Sequence, residues 1–535
     1  MSFLTLLPTE SVVHILQLLP PVDIRSCKLV SRQLLATIQE SPELQYLLEL
    51  DYLGFTPPLN PLDTLSLGDK IRILQEKRFV ATNGTLRGVS VRAAKLESIR
   101  PLNANIRYAR GALAVGKTIE ATRQLQLYQL ASGNKRTEHS SFLLQDMSVE
   151  ASDFRFDPDL DLLVLLERAT YTDADLEMKF HLKSLGSGLP HPLASSPVLR
   201  STFKSTATYN EAGFQIIGKL LAILCFDMFS PRMCVWDWTT GELITSTGVS
   251  GIDFAFISED TFLVPASRSK GAGNDVIAWL WVFTNADVQL GGPARHVASL
   301  CLPPTTQGPC RSQCHFIATS LPPAPLVING RATVTTPKRI YEIGPSSHYL
   351  CLHVRALNIV NIPGEMAKGM LFIPSSNIHQ ALNKITANQS QPPPHIPWED
   401  WARGTSWINT RRLYRSSNCI FGHRAALLSF DREERGWRVF VYDLRANARG
   451  PTTNEHLNDS LKELRSDTYL NAVFMNPKVD VRGPGVVTSF LVSENEHLNE
   501  HTDSIPPQLA IDDERVITYD IRRLRVSPQL NVYDI

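Results

Sequence analysis

The chain has 535 residues, room for more than one domain, and 53 Lys+Arg balance 53 Asp+Glu to a formal net charge of zero. That balance offers no global basic field for nucleic acid and no acidic tail. The eight cysteines are scattered without the density of a disulfide framework, which points to a reducing, intracellular setting, cytoplasmic or nuclear.

Taken in order, the first legible element is a helix. Val12, Ile15, Leu16 and Leu19 recur at helical spacing behind Pro8, whose missing N–H suits a first helical turn. Pro20-Pro21 stops that helix. A second short helix starts near Pro21 or Val22, and Ser31 is placed to cap a third carrying Leu34, Leu35 and Ile38. Ser41-Pro42-Glu43 opens a fourth with Leu44, Leu47, Leu48 and Tyr52 on one face, ended by Gly54. Ser66 and Asp69 form a capping pair for a fifth that reaches about Phe79.

Leu7, Pro8, Glu10, Ile15, Leu16, Asp23, Ile24, Val30, Ser31 and Arg32 stand at the spacing of the F-box, and the N-terminal stretch resembles that family. Leu34 occupies a place that often holds a large aromatic; the site stays apolar. A segment of about forty residues seldom buries enough surface to be stable alone, so it must dock on the rest of the chain or on a partner.

Near Thr82-Asn83-Gly84 the pattern changes to short apolar runs split by Gly, Pro, Asn and Ser, the sign of many short strands. A diffuse repeat runs through them. Asp153-Phe154-Arg155-Phe156 recurs as Asp253-Phe254-Ala255-Phe256, each followed by an apolar run. A second unit is a glycine, a small-apolar strand and then an alternating strand. It occurs from Gly111 to Leu130, from Gly218 to Trp238 and from Gly422 to Leu444, and Trp279–Phe283 and Arg515–Asp520 look like further copies of its last strand. Val235-Trp236-Asp237-Trp238 resembles the closing strand of a WD-repeat blade, and Val441-Tyr442-Asp443-Leu444 is a weaker instance. The expected fold is therefore an α+β multidomain chain: an F-box over 1–45, a helical linker over 46–84, and over 85–535 an all-β domain. That domain reads as a β-propeller of roughly six to eight blades, with a β-sandwich as the alternative. Gln389 to Pro397 reads as an extended loop between blades.

Four features invite chemistry. Gly111 to Thr118 spells Gly-x-x-x-x-Gly-Lys-Thr, in which Lys117 would reach phosphates and Thr118 a magnesium ion. Its inner positions, Ala112 to Val115, are apolar and strand-like, and the stretch is itself a copy of the repeat, so a nucleotide hydrolase is only the alternative reading. Cys310, Cys314 and His315, with Cys301 upstream, fit no closed zinc pattern. Asp512-Asp513-Glu514 reads as a solvated acidic turn. Ile216 to Phe229, the most apolar later run, is interrupted by Lys219 and Asp227 and too short to cross a bilayer, so no membrane partner is expected. No catalytic set, metal site or cofactor site is expected.

What the resemblance implies is a non-catalytic substrate receptor. The F-box would bind a Skp-type adaptor of a cullin–RING ubiquitin ligase, and the β domain would present an unidentified protein substrate. The adaptor-facing positions carried over by the motif are Leu7, Pro8, Ile15, Leu16, Leu19, Asp23 and Val30. A scaffold without ligase function, its helices packed on the β region, is the other alternative.

Overall fold

The computed structural model describes residues 7–83, 87–92, 104–117, 124–144, 147–167, 170–172, 175–204, 214–225, 231–251, 253–269, 276–286, 288–302, 310–319, 327–328, 331–332, 337–358, 367–385, 392–409, 413–414, 419–431, 436–445, 485–494, 507–519 and 529–534. Five helices come first: α1 (Thr9–Gln17), α2 (Pro21–Cys27), α3 (Arg32–Glu40), α4 (Pro42–Leu53) and α5 (Leu67–Asn83). The expected stops and caps set them. Pro20 precedes α2, and the hydroxyls of Ser31, Ser41 and Ser66 accept the backbone N–H of Leu34, Leu44 and Asp69 at 3.1, 3.3 and 3.1 Å. Gly54 ends α4 at φ 75°, and a Cβ there would stand 2.7 Å from the Arg445 guanidinium, so both conformation and space require glycine.

Seven sheets of four or five strands follow, antiparallel except for one added strand, and form a seven-bladed β-propeller. Blade 1 runs Ala104–Ala109, Ala112–Lys117, Leu125–Gln129 and Ser140–Leu144; blade 2 runs Ala151–Asp157, Leu162–Glu167, Asp175–Ser184 and Val198–Lys204. Blade 3 covers Phe214–Ile217 to Glu242–Gly248 and blade 4 Ala255–Phe256 to Arg295–Cys301. Blade 5 spans Cys310–Thr319, Tyr349–Asn358, Ala367–Pro374 and Ser406–Asn409. Blade 6 begins with a first strand in two pieces, Leu413–Tyr414 and Ile420–Phe421, and ends at Gly485–Glu494. Blade 7 contains Gln508–Ile511, Arg515–Tyr519 and Gln529–Asp534 from the C-terminal end. Its fourth strand is Arg87–Arg92, which follows α5, so the two ends of the β region close the ring in one sheet.

One hydrogen bond repeats in six blades. The residue just after the third strand donates its N–H to the carbonyl of the turn between strands one and two. The pairs are Leu130 to Gly111, Leu185 to Asp161, Trp238 to Lys219, Asn285 to Asp260, Ser375 to His348 and Leu444 to His423, all at 2.7–2.9 Å. It places the sequence repeat physically. The glycine-led runs are second strands and the alternating aromatic runs are third strands, and Asp153-Phe154 and Asp253-Phe254 lie at corresponding first-strand positions of blades 2 and 4. Arg515–Tyr519 is the exception: it is the second strand of blade 7, and the true third strand carries Val532-Tyr533-Asp534. The proline-rich stretch ends in a strand, His395–Ile396, that adds a fifth, parallel member to blade 4.

The core lies between neighbouring sheets. Leu125, Phe154 and Leu165 fill the space between blades 1 and 2; Leu182, Leu221 and Trp236 that between 2 and 3; and Leu300, Leu352 and Trp401 that between 4 and 5. A single four-stranded sheet has two apolar faces, and stacking in a ring covers both. The helices have a core of their own, in which Val12, Leu16, Ile24, Leu34, Ile38, Leu44 and Leu48 meet.

Candidate functional site

The helical core decides which apolar side chains of the N-terminal stretch remain available. Of the motif positions, Leu16 is 4% exposed and belongs to the core of the helices, and Leu7 and Leu19 pack half-buried on its edge. Pro8, Ile15, Asp23 and Val30 are exposed. Three further apolar residues stand in solvent that the motif did not single out: Leu18, Val22 and Leu29, with Leu18 at 85% and Leu29 at 90%. Ile15 lies on α1 and Leu18 caps its C-terminal end, Val22 lies on α2, and Leu29 and Val30 are in the turn before α3. Of ten large apolar side chains exposed among the described residues, five are Ile15, Leu18, Val22, Leu29 and Val30, within sixteen residues of sequence. On another side of α1, Glu10, His14, Glu40 and Glu43 line an open groove of about 450 Å³, so the apolar surface has an acidic neighbour.

Residues 4–45 match the family model for the F-box domain. This stretch is an F-box. No curated protein matches the chain. Among solved structures, the chain is similar to the WD40 domain of SCAP from fission yeast, at 8% identity and a TM-score of 0.38, covering 84% of this chain and 98% of that one. It is also similar to the β-propeller domain of the Trilobed protease from Pyrococcus furiosus, at 9% identity and a TM-score of 0.33, covering 78% and 90%. The blade count rests on the chain's own strand pairing.

The F-box is held to the propeller through α4, α5 and residues 337–343, a segment of chain between the first two strands of blade 5. Phe55 and Thr56, just past α4, pair with Ile343 and Glu342 as a two-stranded ladder. Phe55 stacks on Tyr341 with ring centres 4.1 Å apart, and the Tyr46 hydroxyl donates to the Ile340 carbonyl. On its other side the segment is gripped by Asn134 of blade 1. The Asn134 side-chain oxygen accepts the N–H of Ile340 and Tyr341 at 3.0 and 3.1 Å, and its amide donates to the Tyr341 carbonyl and to Asp513 at 3.2 and 3.0 Å. Arg339 pairs with Asp159 of blade 2. Burial pushes the Asp159 carboxyl up, but Arg110, Lys135 and Arg339 around it pull harder and hold it well below the usual carboxylate range.

The chemical candidates of the sequence resolve differently. Ala112–Lys117 is a strand paired on both sides, with Ala112 to Val115 buried, so the backbone amides that a P-loop needs for phosphate are committed to the sheet. The Lys117 side chain and Thr118 lie outside the described residues, as do the side chains of Cys310, Cys314 and His315. Among the described residues no cluster of His, Cys, Asp and Glu could hold a metal ion, and no helix is long and apolar enough to cross a membrane. Asp512-Asp513-Glu514 is no solvated turn. Asp512 is buried, accepts the Tyr108 hydroxyl and faces Arg515, while the Asp513 carbonyl accepts Lys77 of α5 at 3.1 Å.

Proposed function

We propose that the chain is the substrate-recognition subunit of an SCF-type cullin–RING ubiquitin ligase, its F-box docking on a Skp-type adaptor and its propeller binding a protein target. One observation carries the reading: half of the exposed large apolar side chains of the described chain are gathered on the F-box. Isolated exposed leucines need no explanation, whereas a gathered set marks a surface that a partner covers. Leu18, Val22, Leu29 and Val30 supply apolar contact area, with Ile15 and Pro8 beside them; Leu16 acts from below by shaping the helix pair, and Leu7 and Leu19 form the edge. The role is non-catalytic. The receptor raises the local concentration of its target beside the transfer machinery, which the partners supply.

Co-expression with a Skp-type adaptor tests this. The full chain is expected to co-purify with adaptor, and Leu18→Asp/Val30→Asp to lose at least tenfold in affinity, each anchor being worth about 1–3 kcal/mol. Leu290→Asp, exposed on the β domain, serves as the control and should bind as the parent does. Equal capture of all three proteins, or no capture of the parent, rejects the adaptor assignment and favours a scaffold without ligase function.

A further inference from the structure

Among the described residues, the internal repeat exposes one acidic side chain that no cation answers. Positions in different blades can be equated through the hydrogen bond from the third strand to the first turn. By that rule Gly111 corresponds to Lys219 and Asp161 to Asp260. Counting back along the first strands, Asp153 of blade 2 corresponds to Asp253 of blade 4, Arg155 to Ala255, and Arg107 of blade 1 to Gln215 of blade 3. The backbone confirms the match: Asp153 accepts the Phe154 N–H at 2.8 Å, and Asp253 accepts the Phe254 N–H at 2.8 Å.

Around Asp153 the repeat supplies two guanidinium groups. Arg107 reaches it from the preceding blade at 2.9 Å and Arg155 from its own strand at 3.2 Å. Around Asp253 both are gone. Gln215 turns to the backbone instead, its amide donating to the Phe254 carbonyl at 2.9 Å. Ala255 carries no charge and is buried in the layer between blades. What acts on the Asp253 carboxylate is burial and two backbone donors, the N–H of Phe254 and that of Phe316 on the first strand of blade 5. Burial pushes its carboxyl up to about 7, with the two N–H groups pulling the other way. The residue is nonetheless only half-buried, and it sits where the first strands of blades 3, 4 and 5 converge, the strands that surround the central channel of a propeller.

We propose that Asp253 is a binding site for a cationic side chain, arginine or lysine, of the protein that the propeller captures. The target provides the cation that Arg107 and Arg155 provide in blade 2, and arginine fits best because a planar guanidinium meets a carboxylate with two parallel hydrogen bonds. The proposal rests on the receptor reading for its biological meaning but uses a different surface.

The test is binding of the full chain to pools of short peptides, acetylated and amidated at the ends, in which one position is fixed as Arg, Lys, Ala or Glu within a neutral background. The parent is expected to retain the Arg and Lys pools about tenfold or more over the Ala and Glu pools. Asp253→Asn should erase that preference. Gln215→Arg should erase it as well, by restoring from within the partner that blade 2 has, and it keeps the test decisive if the first variant folds poorly. The proposal is overturned if the parent shows no preference for the basic pools, or if folded Gln215→Arg keeps it. No adaptor is present in this assay, so its failure and failure of the co-purification are read separately.

Discussion

Single residues in this chain are governed by partners far away in sequence. Asp512 is answered by Tyr108, 404 positions earlier, and Asn134 grips Tyr341, 207 positions later. A local acidic run therefore reads as a solvated turn although it is buried. The F-box positions show the same limit. Helical spacing places Leu16 and Ile15 on neighbouring sides of α1 but cannot say which side faces the helices' own core; the structure buries Leu16 there and leaves Leu18 and Leu29, which the motif does not single out, in solvent. Asp253 gives the residue-scale prediction. Its folded value of about 7 lies above the ~3.9 of an unfolded aspartate. A raised carboxyl means that the folded chain holds the proton more tightly, so this contribution is fully present below about pH 4 and is lost as the pH rises through 7. Asp253→Asn, which never ionises, should therefore gain on the parent as pH rises: near parity at pH 4 and up to ~3–4 kcal/mol more stable at pH 8.5. Denaturant melts at the two pH values measure it, and an equal offset at both would mean that the carboxyl is not raised.

Whole elements were more legible than residues, because caps and stops are local. Ser31, Ser41 and Ser66 act within three residues of themselves, and the structure places α3, α4 and α5 behind them. The repeat also reads through: Asp237 and Asp443 close third strands by accepting the N–H two residues on, from Thr239 at 3.0 Å and Arg445 at 2.9 Å, and both stand in the WD-like spelling. Blade 7 is the exception because second and third strands are both apolar and alternating, so Arg515–Tyr519 passes for Gln529–Asp534. Residues 337–343 carried no signal at all. That segment has neither periodicity nor a turn motif, and its order comes from Asn134, Asp159 and Phe55. It supplies the element-scale prediction. Tyr341→Ala removes a buried ring stacked on Phe55 and should cost about 3–5 kcal/mol. The loss should be concentrated at the junction, so hydrogen exchange should rise in α4, α5 and 338–343 while the strands of blades 3 and 4 keep their protection. Uniform loss of protection would show that the helices and the propeller unfold as one unit.

At the scale of the whole molecule, ring closure ties the F-box to the C-terminus. Arg87–Arg92 leaves α5 and pairs along its length with Gln529–Asp534, from Arg87 opposite Asp534 to Arg92 opposite Gln529. The third strand of blade 7 thus sits between a strand from the start of the β region and one from its end. A chain ending at Ser527 loses that strand, and both neighbours lose their ladder at once: among the described strands Arg87–Arg92 has no other partner, and Arg515–Tyr519 keeps only Gln508–Ile511. Exposed edges of this kind invite pairing with other chains. The α1–α4 core, by contrast, draws on none of the described residues beyond Leu48. The chain ending at Ser527 is therefore expected to unfold at least 10 °C lower in the propeller transition and to aggregate at concentrations the parent tolerates, while still capturing adaptor through its F-box. Calorimetry, light scattering and the co-purification assay report the three quantities. An unchanged propeller transition would mean that the ring does not depend on the pairing of its two ends.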